Sequence, residues 1–353
     1  MPGEAATAAR PSSWWRLACG HPARALLLAL AVVSVMAGLT TGPRTLAPLR
    51  FADSRTPGDQ ALYAEVTAQV AAESAYYPTV VRLHRERGYP LRPFVTVRPP
   101  TLALVSAAFG PGGTLALAIG LIAANALAWC HRLRGEPALL RYGALAAMSV
   151  VGAAGLGPDV LTAHEWWSGL LLSLALGIGT RRRIAPALAC AVAAALVREL
   201  AAGMLLIMFA VEVSKREWRR AAAVASAIVV LAALLLVHMI VIAALVFPTD
   251  QSSPGWLELR GPIGFARDFA VLLDLDHLPM SLGFFLAFSP LVGWLVAIRT
   301  AGPMPLAWYG SFVLLEGFVS RADNWYWVQL ILPAYLIGWL FIPMDLLRRP
   351  NPN

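Results

Sequence analysis

Six ionisable residues stand where long apolar runs begin or end: the carboxylates Asp59, Glu165 and Glu199, and the guanidinia of Arg98, Arg198 and Arg321. Arginine forks bind phosphate oxygens bidentately, and a nearby carboxylate can accept a proton. The combination suits chemistry on an anionic phosphate group close to a bilayer. Asp59 follows Thr56-Pro57-Gly58 and opens an apolar-periodic run, so its residue type suits a helix N-cap. The same position also suits a reactive carboxylate, because a helix N-terminus favours the ionised form. His164 and Glu165 directly precede Trp166 and Trp167, a pattern that equally fits an interfacial aromatic belt with a solvated charge pair. Arg198 and Glu199 interrupt apolar sequence, where an unpartnered charge pair is costly and a polar site is expected. Arg321 and Asp323 precede Asn324-Trp325-Tyr326-Trp327, and Arg321 alone also reads as a surface anchor. His238 and Asn125, deep in apolar runs, read as hydrogen-bonded packing groups.

The elements that must carry these residues are apolar helices. With 58% hydrophobic and 14% charged residues over 353 positions, and a mean hydropathy of +0.65, the chain is too apolar for a soluble domain. A bilayer core needs about 20 apolar residues per helical span. Runs bounded by charges, Pro and Gly predict ten helices, at roughly 24–42, 101–130, 138–157, 163–180, 184–198, 199–213, 220–247, 279–298, 302–319 and 326–346. The fifth and sixth meet at Arg198-Glu199 and could form one broken element. The predicted fold is therefore an all-α, polytopic transmembrane bundle of about ten spans. Residues 1–23 and 347–353 are tails, and 24–346 form a single membrane domain. The first helix is expected to remain as a span and not to be cleaved, since no clear small-x-small site precedes a soluble domain. Cys19, Cys130 and Cys190 show no metal or disulfide spacing and read as small apolar residues.

Charge distribution orients the bundle. Of 28 basic residues, sixteen fall in the tails and alternate loops, against five acids there; the other side carries twelve basic and fifteen acidic residues. By the positive-inside rule the first set is cytoplasmic, as are both termini. The +8 net charge is thereby a topology signal, and nucleic-acid binding is not expected. The six ionisable residues then share the opposite, extracytoplasmic face. Two long segments lie there, 43–100 and 248–278. In the first, Leu62, Val66 and Val70 form one stripe of an amphipathic helix from Asp59, and a second helix runs from Tyr76 to Gly88. Arg98-Pro99-Pro100 then leads into the next span.

Two of these patterns resemble a known family. Asp59-Gln60-Ala61-Leu62-Tyr63-Ala64-Glu65 is similar to the acidic first-loop helix of the GT-C superfamily of polyprenyl-phosphate-sugar-dependent glycosyltransferases, related to lipid A aminoarabinose transferases and protein O-mannosyltransferases. Gln60 replaces the family's second acid. Arg98-Pro99-Pro100-Thr101-Leu102 resembles its Lys-Pro-Pro-Leu turn, with arginine for lysine. Glu165 resembles a second-loop acid, Arg198 a basic residue between later spans, and Arg321 with Tyr326 and Pro333 the polar start of a late span. The order of elements matches over about the first 130 residues, and the large C-terminal soluble domain of some family members is not expected here.

The resemblance implies an inverting transfer from a polyprenyl-phosphate-linked sugar donor to a glycan, lipid or protein acceptor hydroxyl, at the outer face of the plasma (inner) membrane. Asp59 would be the general base, and Arg98, Arg198 and Arg321 would balance charge on the leaving phosphate. Glu165 would hold acceptor or sugar hydroxyls, with Tyr63, His164, Glu199 and Tyr326 completing the binding set. Such a donor requires no metal or other cofactor; Asp274-Leu275-Asp276-His277 is the one stretch with metal-ligand character. A transporter or flippase of lipid-linked glycans would instead place charges near the bilayer midplane, often with repeat symmetry. A ligase or polymerase using lipid-diphosphate glycans would carry a large outer loop late in the chain.

Overall fold

The computed structural model describes residues 22–41, 58–179 and 184–347. Cys19, Arg181–Arg183, Arg348 and Arg349, and residues 43–57 of the first long loop, lie outside these residues. Among the described residues the chain is all-α, and strands are absent. The main helices are α1 (Pro22–Thr41), α2 (Asp59–Ala71), α3 (Tyr76–Glu86), α4 (Thr101–Arg132), α5 (Ala138–Ala154), α6 (His164–Ile178), α7 (Ile184–Val197), α8 (Ala202–Ser214), α9 (Trp218–Leu245), α10 (Gly261–Leu272), α11 (Met280–Val296), α12 (Pro303–Val319) and α13 (Gly338–Leu347).

Three helical segments are long and apolar enough to cross a membrane: Pro22–Thr40, Phe94–Arg132 and Trp218–Leu245. A fourth arises if Ala322–Leu330 and Leu332–Leu346, bent by 60°, count as one span. These long apolar helices indicate a membrane protein. Their outward faces are apolar as well: Leu28, Val32, Val229 and Ile240 are each more than half exposed, which suits contact with hydrocarbon. Each of the ten predicted runs contains a helix, but length limits several of them. The 13 residues of α8 cover only about 20 Å at 1.5 Å per residue, short of a bilayer core of about 30 Å. Ten full spans are therefore not established by helix length and composition.

The last predicted run is not a continuous helix. A 3₁₀ stretch covers Ala322–Leu330, a short turn follows at Leu332–Tyr335, and α13 begins only at Gly338. Pro333, at the start of that short turn, has no N–H to continue a hydrogen-bond ladder. The fifth and sixth runs are also separate. Arg198 is extended (φ −143°, ψ 112°), and a 3₁₀ turn, Glu199–Ala201, leads into α8. Within α4, Gly110 adopts φ 67° and ψ 178° immediately before Pro111, breaking the helix without ending it. A left-handed φ of this kind strains any residue with a Cβ.

The main core is formed by α4–α13 with the 3₁₀ stretch, centred on Trp129, Phe265, Phe269, Trp294, Tyr309 and Tyr335. Trp294 donates to the Tyr335 carbonyl at 2.9 Å and the Tyr335 hydroxyl to the Ala287 carbonyl at 2.6 Å, so these aromatics are buried with partners. A smaller core joins α2 and α3 to α4 and α9. There Leu62 and Val66 are fully buried and Val70 packs at the edge, as the predicted stripe requires. His238 and Asn125 are buried and bonded: His238 Nε2 faces the Val97 carbonyl at 3.0 Å, and Asn125 Nδ2 donates to the Leu170 carbonyl at 3.0 Å. Cys130 and Cys190 are partly buried free thiols, and Cys190 packs against the main core.

Candidate functional site

Local structure aims the polar residues at one place. Gly58, not Asp59, is the N-cap of α2; Asp59 is its first helical residue and makes no cap hydrogen bond. Its carboxylate is thus available and instead accepts a hydrogen bond from the Tyr89 hydroxyl. Tyr89 follows Gly88, whose φ of 70° turns the chain back after α3. The Arg98 backbone is held from two sides: the Tyr76 hydroxyl donates to its carbonyl at 2.7 Å, and His238 braces the preceding Val97 carbonyl. Thr101 Oγ1 donates to the Leu196 carbonyl at 2.6 Å, and Ser168 Oγ to the Ala194 carbonyl at 2.9 Å. These two bonds tie α4 and α6 to the end of α7, bringing Arg98, Glu165 and Arg198 together.

The result is a buried charge quartet. Glu165 Oε1 lies 2.6 Å from Arg198 Nε and 3.5 Å from Arg98 Nη2. Glu199 Oε1 contacts Arg198 Nη1 and lies 3.8 Å from Arg98 Nη1. Arg98, Arg198 and Glu165 are all less than one-tenth exposed. With all four ionised the quartet is neutral, which is what makes such burial tolerable. The two arginines differ in how fully they are engaged. Arg198 is held by both glutamates at close range and stacks 5.6 Å over the Trp327 ring. Arg98 reaches its glutamates and the Val95 carbonyl only at 3.4–3.8 Å, and its buried Nε has no partner. Nε of Arg198 also lacks a hydrogen-bond partner, but its shorter contacts to both glutamates leave Arg98 the less engaged of the two.

All nine site residues predicted from the sequence line one cavity of about 650 Å³: Asp59, Tyr63, Arg98, His164, Glu165, Arg198, Glu199, Arg321 and Tyr326. His164 through Trp167 are buried inside the bundle and not at a solvated belt. The His164 ring meets Tyr63 edge-on at 4.6 Å. Glu165, expected to hold substrate hydroxyls, already has Oε1 occupied by both arginines. Arg321, expected near the phosphate, is chelated by Asp323 at 2.7 and 3.0 Å and donates to the Gly255 carbonyl at 2.9 Å. Among the described residues no group of three or more His, Cys, Asp or Glu side chains is placed to hold a metal; Asp274, Asp276 and His277 lie in the turn after α10.

Burial also sets the electrostatics of Asp59. Removal from water pushes its carboxyl above the usual value; the Glu165 charge adds to this, while Arg98, Arg198 and the Tyr89 hydroxyl oppose it. Tyr89 is pushed up to about 12 by burial and by the Asp59 charge, so it stays protonated and donates.

The sequence reading missed several lining residues, including Tyr89, Trp256, Asn324 and Trp327. It also missed the clamp behind them. Arg260 grips fully buried Asp268 with both Nη atoms, reaches Glu316 Oε1 at 3.6 Å, and donates from Nε to the Ser320 carbonyl at 2.7 Å. It thereby anchors the residue before Arg321. The one available signal was an arginine and two acids in otherwise apolar helices.

A second cavity, about 600 Å³ and mainly apolar, adjoins the first. Tyr63, Thr162 and His164 line both. Its walls include Val66, Leu102, Leu115 and Leu161, and the broken Gly110-Pro111 segment of α4. Comparison with protein-family models, with curated proteins and with solved structures finds no match for this chain.

Proposed function

We propose that this chain is an integral-membrane glycosyltransferase of the GT-C type, moving a sugar from a polyprenyl-phosphate donor to an acceptor hydroxyl. The observation that carries the reading is the pairing of two joined cavities. One is polar, with Asp59 and the under-coordinated Arg98; the other is apolar and shares Tyr63 and His164 with it. A lipid-linked sugar phosphate has the same two-part chemistry. The donor phosphate would take the free donors of Arg98, while the isoprenoid chain lies along the Gly110-Pro111 break.

In the transfer, the acceptor hydroxyl oxygen forms a bond to the anomeric carbon from the face opposite the phosphate, and the bond to the phosphate oxygen breaks with its electron pair. The hydroxyl proton goes to Asp59. The donor is a phosphodiester with one negative charge, and the departing lipid phosphate carries a second. That added charge develops beside Arg98, whose burial makes the compensation strong. Arg198, Glu165 and Glu199 hold Arg98 in position. The raised basicity of Asp59 favours proton uptake from the acceptor hydroxyl.

The outer-face, inner-membrane location with both termini cytoplasmic, and the count of about ten spans, belong to the same proposal and rest on the asymmetry of basic residues. A flippase reading is less well supported. Leu172, Ala191 and Ala194, all fully buried, fill the stretch between the two ends of α6 and α7. The test uses purified protein in nanodiscs with a panel of radiolabelled polyprenyl-phosphate sugars and an envelope extract as acceptor. Label should leave the donor with wild type and not with Asp59→Asn. Equal transfer by both proteins would remove Asp59 as the base, and failure with every donor would count against the reading as a whole.

A further inference from the structure

We propose that the other end of the bundle holds a second site, for a phosphate-bearing amphiphile. Glu165, in the first turn of α6, lines the candidate active cavity; Leu176 and Gly179, at its far end, line a different one of about 800 Å³. Likewise Arg98 precedes α4 on the first side, and His131–Arg134 close α4 on the second. This inference does not depend on the transferase reading.

The cavity has a basic rim and an apolar floor. Five Lys or Arg side chains line it against two glutamates. Arg132 serves the fold: Nη1 donates to the carbonyls of Leu176 at 2.8 Å and Gly179 at 2.6 Å, closing the end of α6, and Nη2 donates to Ala301. Buried Glu212 draws Lys215 (3.7 Å) and Arg220 (3.6 Å) to the rim. Arg134 and Arg299 are exposed at the mouth and complete a positive collar. Beneath it lie Met204, Met208 and Met304, whose unbranched thioether chains adapt to varied apolar shapes.

Basic residues that serve topology alone need only remain in water. Here they surround a recess partly floored by Met204, Met208 and Met304, the arrangement by which basic pockets between membrane helices take lipid phosphate groups. A headgroup phosphate would sit in the collar and an acyl chain on the methionines.

The experiment is native mass spectrometry of the full-length chain from neutral detergent, offered phosphatidic acid or phosphatidylcholine of the same acyl composition. Neither Arg134 nor Arg299 lines the first cavity, so the Arg134→Gln/Arg299→Gln variant isolates this site. Wild type should retain one phosphatidic acid about tenfold better than phosphatidylcholine, and the variant should lose that preference with an unchanged thermal midpoint. Displacement of the lipid by millimolar inorganic phosphate would support the site as a phosphate site proper. Resistance to displacement would support it as a lipid site that also needs the acyl chain. Equal retention of the two lipids by wild type, or a preference that survives in the variant, would overturn the proposal.

Discussion

Arg98 and Arg198 carry the same charge in the same quartet, yet their surroundings assign them different consequences on mutation. Arg198 is held at close range by Glu165 and Glu199. Arg198→Ala removes the nearest partner of buried Glu165 and of partly buried Glu199, leaving them only the longer contacts to Arg98, a loss of about 3–5 kcal/mol that should appear as a large drop in thermal midpoint. Arg98 is loosely bonded, so Arg98→Lys should leave the midpoint nearly unchanged while weakening transfer about tenfold to a hundredfold, because a point charge replaces a fork. Equal destabilisation by both changes would contradict this division. Asp59 makes a pH-dependent case. Its carboxyl is raised by burial, so the folded state favours the protonated form, and the stability this contributes is lost as pH rises through the raised value. Asp59→Asn should therefore not lower the midpoint at pH 7, even as transfer is abolished. Transfer itself, needing the ionised base, should rise with pH along a limb above the ordinary aspartate value. Tyr89→Phe removes a hydrogen bond to the carboxylate and should move that limb to higher pH; a shift downward in the rate profile would contradict the assignment. Residue types announced the charged members of this site because charges in apolar sequence are rare. They did not announce Tyr89, an ordinary loop tyrosine by sequence, nor that Glu165 bridges the arginines, since pairing depends on where helices cross.

At the level of elements, the site depends on one close approach. A Cβ at Gly169 would lie 2.2 Å from the Gln329 carbonyl, so only glycine lets α6 meet the 3₁₀ stretch that carries Tyr326 and Trp327. Gly169→Ala must push that stretch away and part Trp327 from Arg198. The expected outcome is a fall in both thermal midpoint and donor affinity, whereas alanine at Gly310, with open space around it, should change neither. Helix positions were legible from apolar runs, and so were the buried stripe of α2 and the turn at Gly88. The broken elements were not. Apolar periodicity over 326–346 reads as a helix whether or not the backbone keeps its ladder, and composition does not reveal that a 3₁₀ segment packs better against α10. Arg198 was the exception, because a charge pair inside an apolar run marks a break on energetic grounds.

For the whole molecule, the two polar cavities occupy opposite ends of the same helices, so the bundle has two chemically distinct faces. Single cysteines replacing Gln60 and Lys215, in a background lacking the native thiols, should react with a membrane-impermeant maleimide from opposite sides of sealed vesicles. Labelling of both from one side would contradict a membrane-crossing arrangement. The central claim is that the adjoining polar and apolar cavities take one ligand, head in one and tail in the other. The most direct test is an experimental structure of the protein in nanodiscs with polyprenyl phosphate. The expected result is phosphate density within hydrogen-bonding distance of Arg98, with the chain running past Tyr63 along the Gly110-Pro111 break. Lipid bound elsewhere while these two cavities remain empty would contradict it.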